Sequence, residues 1–196
     1  MKIGIIAIQG DVREHQAKFE SLGVELATVR KPRDLEGAAG LVIPGGESTT
    51  IGMLMQEYGV LDAIRDRAAT GGWPIWGTCA GLILLAAEVI GPSPARLGLI
   101  DMTADRNAWG RQVSSFEVPL TVPVLGDRPF PAVFIRAPRI RRIGLGVTAL
   151  ASLDGQVVMA EAGPYLVSAF HPELTDDTRV HEYFINKARN YSAMLS

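Results

Sequence analysis

The chain has 196 residues, 47% of them apolar and 20% charged, with a formal net charge of -2. That length suits a single domain with a sizeable core, and the mildly acidic balance leaves no basic footprint for nucleic acid. One cysteine excludes an intramolecular disulfide and fits a reducing, cytoplasmic setting, and the longest apolar stretch, Ala80 to Ala87, is far short of the ~18 residues a membrane helix needs.

The elements alternate through the first half. Ile3 to Ile8 is a continuous apolar run, as in a central parallel strand covered on both faces. It meets Gln9 and Asp11 too soon for a signal-peptide core. Val12 to Leu22 reads as a helix stopped by Gly23, with Glu14 and Lys18 at i,i+4 spacing. Val24 to Val29 is a second strand. Leu41 to Ile43 is a short third that meets Pro44-Gly45-Gly46-Glu47-Ser48. Taken alone, that segment reads as a turn before a helix, with Ser48 as the N-cap. Ile51, Leu54 and Met55 share a helical face, and another helix covers Val60 to Ala69. Trp73 to Trp76 is strand-like and Leu82 to Ala87 helix-like.

In the second half, Leu97 to Thr103, Val113 to Val118 and Ala132 to Ile135 read as strands. The basic run Arg139 to Arg142 reads as a solvated loop or a partner contact. Val147 to Leu153 and Gln156 to Ala160 flank Asp154-Gly155, a strong hairpin turn. Tyr165 to His171 is apolar and ends at Pro172, which has no N–H to continue a ladder. A last helix covers Thr178 to Met194, with Val180, Tyr183, Phe184, Ala188 and Tyr191 at core spacing; His181 on it reads as solvated. No linker or repeat interrupts residues 1–196. The pattern predicts one domain of α/β class, a three-layer sandwich around a mixed, mostly parallel sheet, with ligands at the carboxyl ends of the strands.

Chemistry concentrates at Gly77-Thr78-Cys79-Ala80-Gly81. Strand, tight turn and helix form a nucleophile elbow with cysteine in the serine position. A helix N-terminus favours the thiolate, which is the reactive form. His171 is the candidate base, and Glu173, two residues on, is placed to orient it as the third member of a triad. Acyl transfer also needs an oxyanion hole. The Ala80 N–H is one donor, and the Gly45-Gly46 backbone is a candidate for the second. Three scattered histidines and one cysteine show no metal-ligand spacing, so neither metal nor cofactor is expected.

Together these residues resemble the class I, triad-type glutamine amidotransferases: a Gly-rich oxyanion loop, a Gly-x-Cys-x-Gly elbow and a distant His-x-Glu. The branch they look like is the glutaminase subunits of pyridoxal 5'-phosphate synthases. Its signatures stand here as Gln9-Gly10 with Glu14-His15, Pro44 to Thr50, Gly77 to Gly81, Arg106 to Gln112, Phe134 to Pro138 and Phe170 to Leu174. Trp109, where a smaller ring is expected, is a departure, as is the basic run after Pro138.

The resemblance implies hydrolysis of L-glutamine to glutamate and ammonia by Cys79, His171 and Glu173, with Gly46 and Ala80 as oxyanion donors. It implies glutamine contacts at Gly46, Glu47, Ser48, Arg106, Ile135 and Arg136. It implies as partner a (β/α)8 synthase subunit, in a large hetero-oligomer, that takes the ammonia, and it places His15 in a synthase-facing segment. Three other readings stay open: a glutaminase subunit serving an imidazole glycerol phosphate or anthranilate synthase, a non-catalytic binding or scaffold module that kept the fold, and a peptidase or chaperone of related fold. In the last a histidine often follows the cysteine directly; Ala80 stands there.

Overall fold

The computed structural model describes residues 1–92, 94–106 and 115–194. The elements in chain order are β1 (Lys2–Ile6), α1 (Val12–Ser21), β2 (Glu25–Val29), β3 (Ala38–Ile43), α2 (Ser48–Glu57), α3 (Val60–Ala69), β4 (Ile75–Thr78) and α4 (Ala80–Leu85). They continue with β5 (Ala86–Ile90), β6 (Ile100–Asp105), β7 (Ser115–Leu120), β8 (Phe130–Ile135), β9 (Arg139–Ile143), β10 (Thr148–Leu153), β11 (Gln156–Ala162), β12 (Tyr165–Ser168) and α5 (Arg179–Met194).

Seven strands form the main sheet in the order β10-β11-β12-β4-β3-β1-β2. The four pairings from β12 to β2 are parallel, and the two that add β10 and β11 are antiparallel, so the sheet is mixed and mostly parallel as expected. Its central strands are apolar along their length because both faces are covered. Trp76 and Gly77 are successive on β4 and so point to opposite faces. The Trp76 ring meets Phe184 and His181 of α5 and His15 of α1, with centroids 5.6, 5.0 and 5.3 Å away. A Cβ on Gly77 would lie 2.4 Å from the Gly81 carbonyl carbon, so α4 presses on the other face. Two small sheets, β5-β6-β9 and the β7-β8 hairpin, flank this core.

Three expectations change. The helix after Cys79 ends at Leu85, and Ala86–Ile90, read in part as its continuation, is a strand paired with β6. Residues 139–142 are not a loop: they lie in β9, antiparallel to β6, where Arg141 and Arg142 meet Asp105 and Asp101 at 2.7 Å. Lys18 pairs with Asp176 at 3.6 Å rather than with Glu14. The segment 107–112 and residues 113–114 of the expected strand lie outside the described residues.

Candidate active site

The parallel register builds the site. In the ladder, Gly77 of β4 stands between Ile43 of β3 and Val167 of β12. The segments leaving those strands therefore emerge side by side: Pro44-Gly45-Gly46, the Cys79 elbow and Ala169-Phe170-His171. Cys79 has φ 47 and ψ -97, a sparsely populated conformation that costs on the order of 1–3 kcal/mol. Its N–H donates to the Ser168 carbonyl at 2.8 Å, and a Cβ on Gly81 would lie 2.1 Å from the Ile43 carbonyl oxygen. Both flanking glycines are thus required by close backbone approach, and the thiol is held at the sheet's carboxyl edge.

His171 lies three residues past the end of β12, where the chain has left the sheet. It precedes a 3₁₀ turn, Pro172–Leu174, and its N–H donates to the Val133 carbonyl at 2.7 Å. Its Nδ1 lies 2.7 Å from Glu173 Oε1 and 3.4 Å from Asp11 Oδ2. Its Nε2 is buried and meets no hydrogen-bond partner within ordinary limits; Cys79, whose thiol donates to the Ile135 carbonyl at 4.0 Å, is the group it faces. Burial by itself would lower the His171 pKa. Hydrogen bonds with Asp11, Cys79 and Glu173 outweigh it and push the pKa up to about 12. The same bond to His171 holds the Asp11 carboxyl below its ordinary value.

The glycine loop fits against this group. A Cβ on Gly45 would lie 2.5 Å from His171 Cε1 and 2.6 Å from Asp11 Oδ2, and one on Gly46, where φ is 148, 2.6 Å from Gln9 Oε1. The Asp11 N–H donates to the Gly45 carbonyl at 3.1 Å, and the Glu47 N–H donates to Gln9 Oε1 at 2.9 Å. Glu47, not Ser48, caps α2: its carboxylate accepts from the Thr49 and Thr50 N–H groups at 3.2 and 2.7 Å. Arg106 Nη2 reaches Glu47 Oε1 at 2.8 Å and Arg106 Nη1 the Pro92 carbonyl at 3.0 Å. Burial opposes the Glu47 charge, but the hydrogen bonds from Thr50 and Thr49 and the neighbouring Arg106 hold its carboxyl below the ordinary value.

Beside the thiol is a cavity of about 440 Å³. With these walls the arrangement suits acyl transfer: a thiol and a histidine share a pocket with an orphan helix-start N–H and a glycine loop. A model of the SNO glutamine amidotransferase family matches residues 5–190. The chain belongs to this family. It is 54% identical over 185 residues to the pyridoxal 5'-phosphate synthase subunit PdxT of Moorella thermoacetica, across 94% of this chain and 98% of that protein. It is 52% identical over 187 residues to PdxT of Thermus thermophilus, across 95% and 97%. A glutamine amidotransferase of known crystal structure superposes with TM-score 0.91 at 49% identity, across 95% and 98% of the two chains.

In this SNO-family chain, Gly46, Glu47, Ser48, Cys79, Ala80, Arg106, Ile135, Arg136 and His171 all line the one cavity, and Glu173 sits behind His171. Arg136, just after β8, adopts φ 42, a strained conformation, and lines the cavity while staying exposed. Asp11, also on the wall, carried no signal of its own in the sequence; only its place after Gln9-Gly10 marks it. Asp11, His171 and Glu173 are also the group among the described residues whose ligand atoms, all within 4.8 Å of one another, could share a cation, but those atoms already hold one another around Nδ1.

His181 departs from expectation, and His15 lies beside it. Both are fully buried, so His181 is not solvated, and the His15 side chain points inward although α1 itself is superficial. Burial lowers the His15 pKa to about 4 and the His181 pKa to about 3.

Proposed function

We propose that this chain hydrolyses L-glutamine to L-glutamate and ammonia at Cys79 and passes the ammonia to a pyridoxal 5'-phosphate synthase subunit. The observation that carries this reading is the strained Cys79 elbow facing a His171 whose Nδ1 is bonded to Glu173 and whose Nε2 is left for the thiol. The whole of residues 1–196 acts as one glutaminase domain.

The thiolate of Cys79 attacks the side-chain amide carbon. The carbonyl oxygen becomes an oxyanion, held by the N–H groups of Ala80 and Gly46. His171, as imidazolium, gives its Nε2 proton to the departing nitrogen, which leaves as ammonia, and a glutamyl thioester remains on Cys79. The now neutral His171 takes a proton from water, whose oxygen attacks the thioester; collapse expels the thiolate and releases glutamate with His171 again protonated. Glu173 orients the ring throughout. At the amino-acid end, Arg106 is engaged by Glu47, so the exposed Arg136 is the arginine that pairs the substrate carboxylate, while Glu47 faces the ammonium. Ser48 and Ile135 complete the glutamine pocket.

The PdxT relatives are subunits by name, and free ammonia would protonate in water, so a closed hand-over to a (β/α)8 partner in a hetero-oligomer fits the chemistry. The described residues contain no helix long and apolar enough to cross a membrane, and the lone thiol suits a reducing cytoplasm.

The test is glutamate release from glutamine, with and without the synthase. Wild type is expected to turn over in the complex, and Cys79→Ala to lose at least about 10⁴-fold in rate with an unchanged melting temperature. Turnover surviving in Cys79→Ala would remove the nucleophile assignment; ammonia transfer to a different synthase would redirect the partner.

A further inference from the structure

Two buried histidines lie on the far side of Glu173 and are not used by the mechanism above. His15 Nε2 is 3.5 Å from Glu173 Oε2 and 3.3 Å from Thr78 Oγ1. His15 Nδ1 is 3.1 Å from His181 Nε2. His181 is packed among Phe19 and Trp76, with ring centroids 5.2 and 5.0 Å away, and its Nδ1 is buried without a hydrogen bond. Glu173 Oε2 is equally buried and has no hydrogen bond within ordinary limits; His15 Nε2 is the cation-capable group facing it.

From this geometry we infer that His15 and His181 are positioning residues: a relay of hydrogen bonds, His181 to His15 to Glu173, holds the carboxylate in line with His171.

Counting donors against acceptors favours one arrangement. A buried carboxylate oxygen needs a donor. If His15 carried its proton on Nδ1, the bare lone pair of Nε2 would face the Glu173 charge, and Oε2 would be left with nothing. With the proton on Nε2, His15 donates to Oε2 and shares that N–H with Thr78 Oγ1; a length at the outer limit is normal for a shared donor. His15 Nδ1 is then an acceptor, so His181 must donate from Nε2. That leaves His181 Nδ1 as a bare lone pair, matching the atom observed without a partner. An orphan acceptor is tolerated more readily than an orphan N–H. Glu173 thus accepts on both oxygens, from His171 at one and His15 at the other, and cannot swing away from the catalytic ring.

The charged and titratable groups facing this pair are consistent with neutral rings. Glu173, His181, His171 and Asp11 act on His15, and Lys18 acts on His181. Burial is the largest influence on both and opposes a charge.

The proposal rests on the glutaminase reading only in its activity arm. The chain has three histidines, so long-range proton–nitrogen NMR of the uniformly labelled full chain at neutral pH resolves every ring nitrogen. The expected result is a proton on Nε2 and a bare Nδ1 at both His15 and His181. A proton on His15 Nδ1, or a cationic His15, overturns the relay.

In the activity arm, His15→Leu is expected to lower kcat in the synthase complex by about 10- to 100-fold while KM for glutamine moves less than about twofold. It should also lower the pH at which His171 loses its ring proton. His15→Gln offers an amide donor toward Glu173 and an acceptor toward His181, and should recover to within about fivefold of wild type. Should His15→Leu not fold, His181→Phe removes only the outer donor and should give a smaller loss of the same kind. A folded His15→Leu or His181→Phe with wild-type kcat and an unmoved His171 titration contradicts the proposal. A wild-type complex that releases no glutamate would instead overturn the functional reading, and the ring-nitrogen measurement would still decide this one.

Discussion

Glu173 divides two histidine environments that sit back to back. On one side His171 faces Glu173, Asp11 and Cys79, and its pKa is pushed up to about 12 although the ring is buried. On the other side His15 and His181 lie among Trp76, Thr78 and Phe19, and burial brings them down to about 4 and 3. All three rings are removed from solvent. What separates them is the number of anions in hydrogen-bond contact: two carboxylates address His171 Nδ1, while His15 is offered only the far oxygen of one, at 3.5 Å. Desolvation sets the direction of a buried histidine's pKa until direct bonds to anions reverse it.

Removing the anions one at a time is the strongest way to break that contrast. Glu173→Gln should cost about 10³- to 10⁴-fold in kcat, as when a triad carboxylate becomes an amide and the ring loses its orientation. It should also bring the His171 titration down by NMR. Asp11→Asn should move the titration in the same direction, with a loss of about tenfold or less, because Asp11 lies 3.4 Å from Nδ1 against 2.7 Å for Glu173. If Asp11→Asn proved the more damaging, the orienting role would belong to Asp11.

The pH dependence of stability sharpens the same contrast and is the smaller effect. His15 and His181 have folded pKa values below the ordinary 6.5, so the stability they permit is present above 6.5 and lost as pH falls through about 4 and 3. His171 has a raised folded pKa, so its contribution is complete below 6.5 and lost as pH rises toward about 12. The urea midpoint should therefore be highest near pH 6.5 and fall on both sides. His171→Asn should flatten the alkaline limb and His181→Phe part of the acid limb. A midpoint unchanged between pH 5 and pH 9 would show that the three rings do not differ as described.

Much of the fold was legible because its signals are local. The helix Val60–Ala69 has the bounds its periodicity predicts, and the hairpin turns at Asp154, where φ is 50, and Gly155. The errors fall where long-range partners decide. Ala86–Ile90 begins with two alanines that continue an apolar helical run, yet its pairing with β6 makes it a strand. Residues 139–142 read as a loop because their pairing strand is the distant β6, whose acids that accept Arg141 and Arg142 lie 36 and 41 positions earlier; the two arginine side chains do stay exposed.

The cavity shows the same divide. Cys79 stands in a motif whose two glycines have a visible steric cause, and the sequence places His171 and Glu173 close by adjacency alone, although the chain there is a 3₁₀ turn and not an extended strand. Asp11 reaches the His171 ring, His15 reaches Glu173 and His181 reaches His15 only through the packing of α1 and α5 around Trp76 of β4. No spacing rule within one element could have found them.

The most direct test of the account is to trap its intermediate. The synthase complex, mixed with carbon-labelled glutamine and quenched in acid during turnover, is digested and its peptides weighed. The account predicts a glutamyl adduct on the peptide carrying Cys79, absent from Cys79→Ala and released as glutamate by mild base. Steady release of glutamate with no label on Cys79 at any quench time, or with the label on another residue, would contradict it.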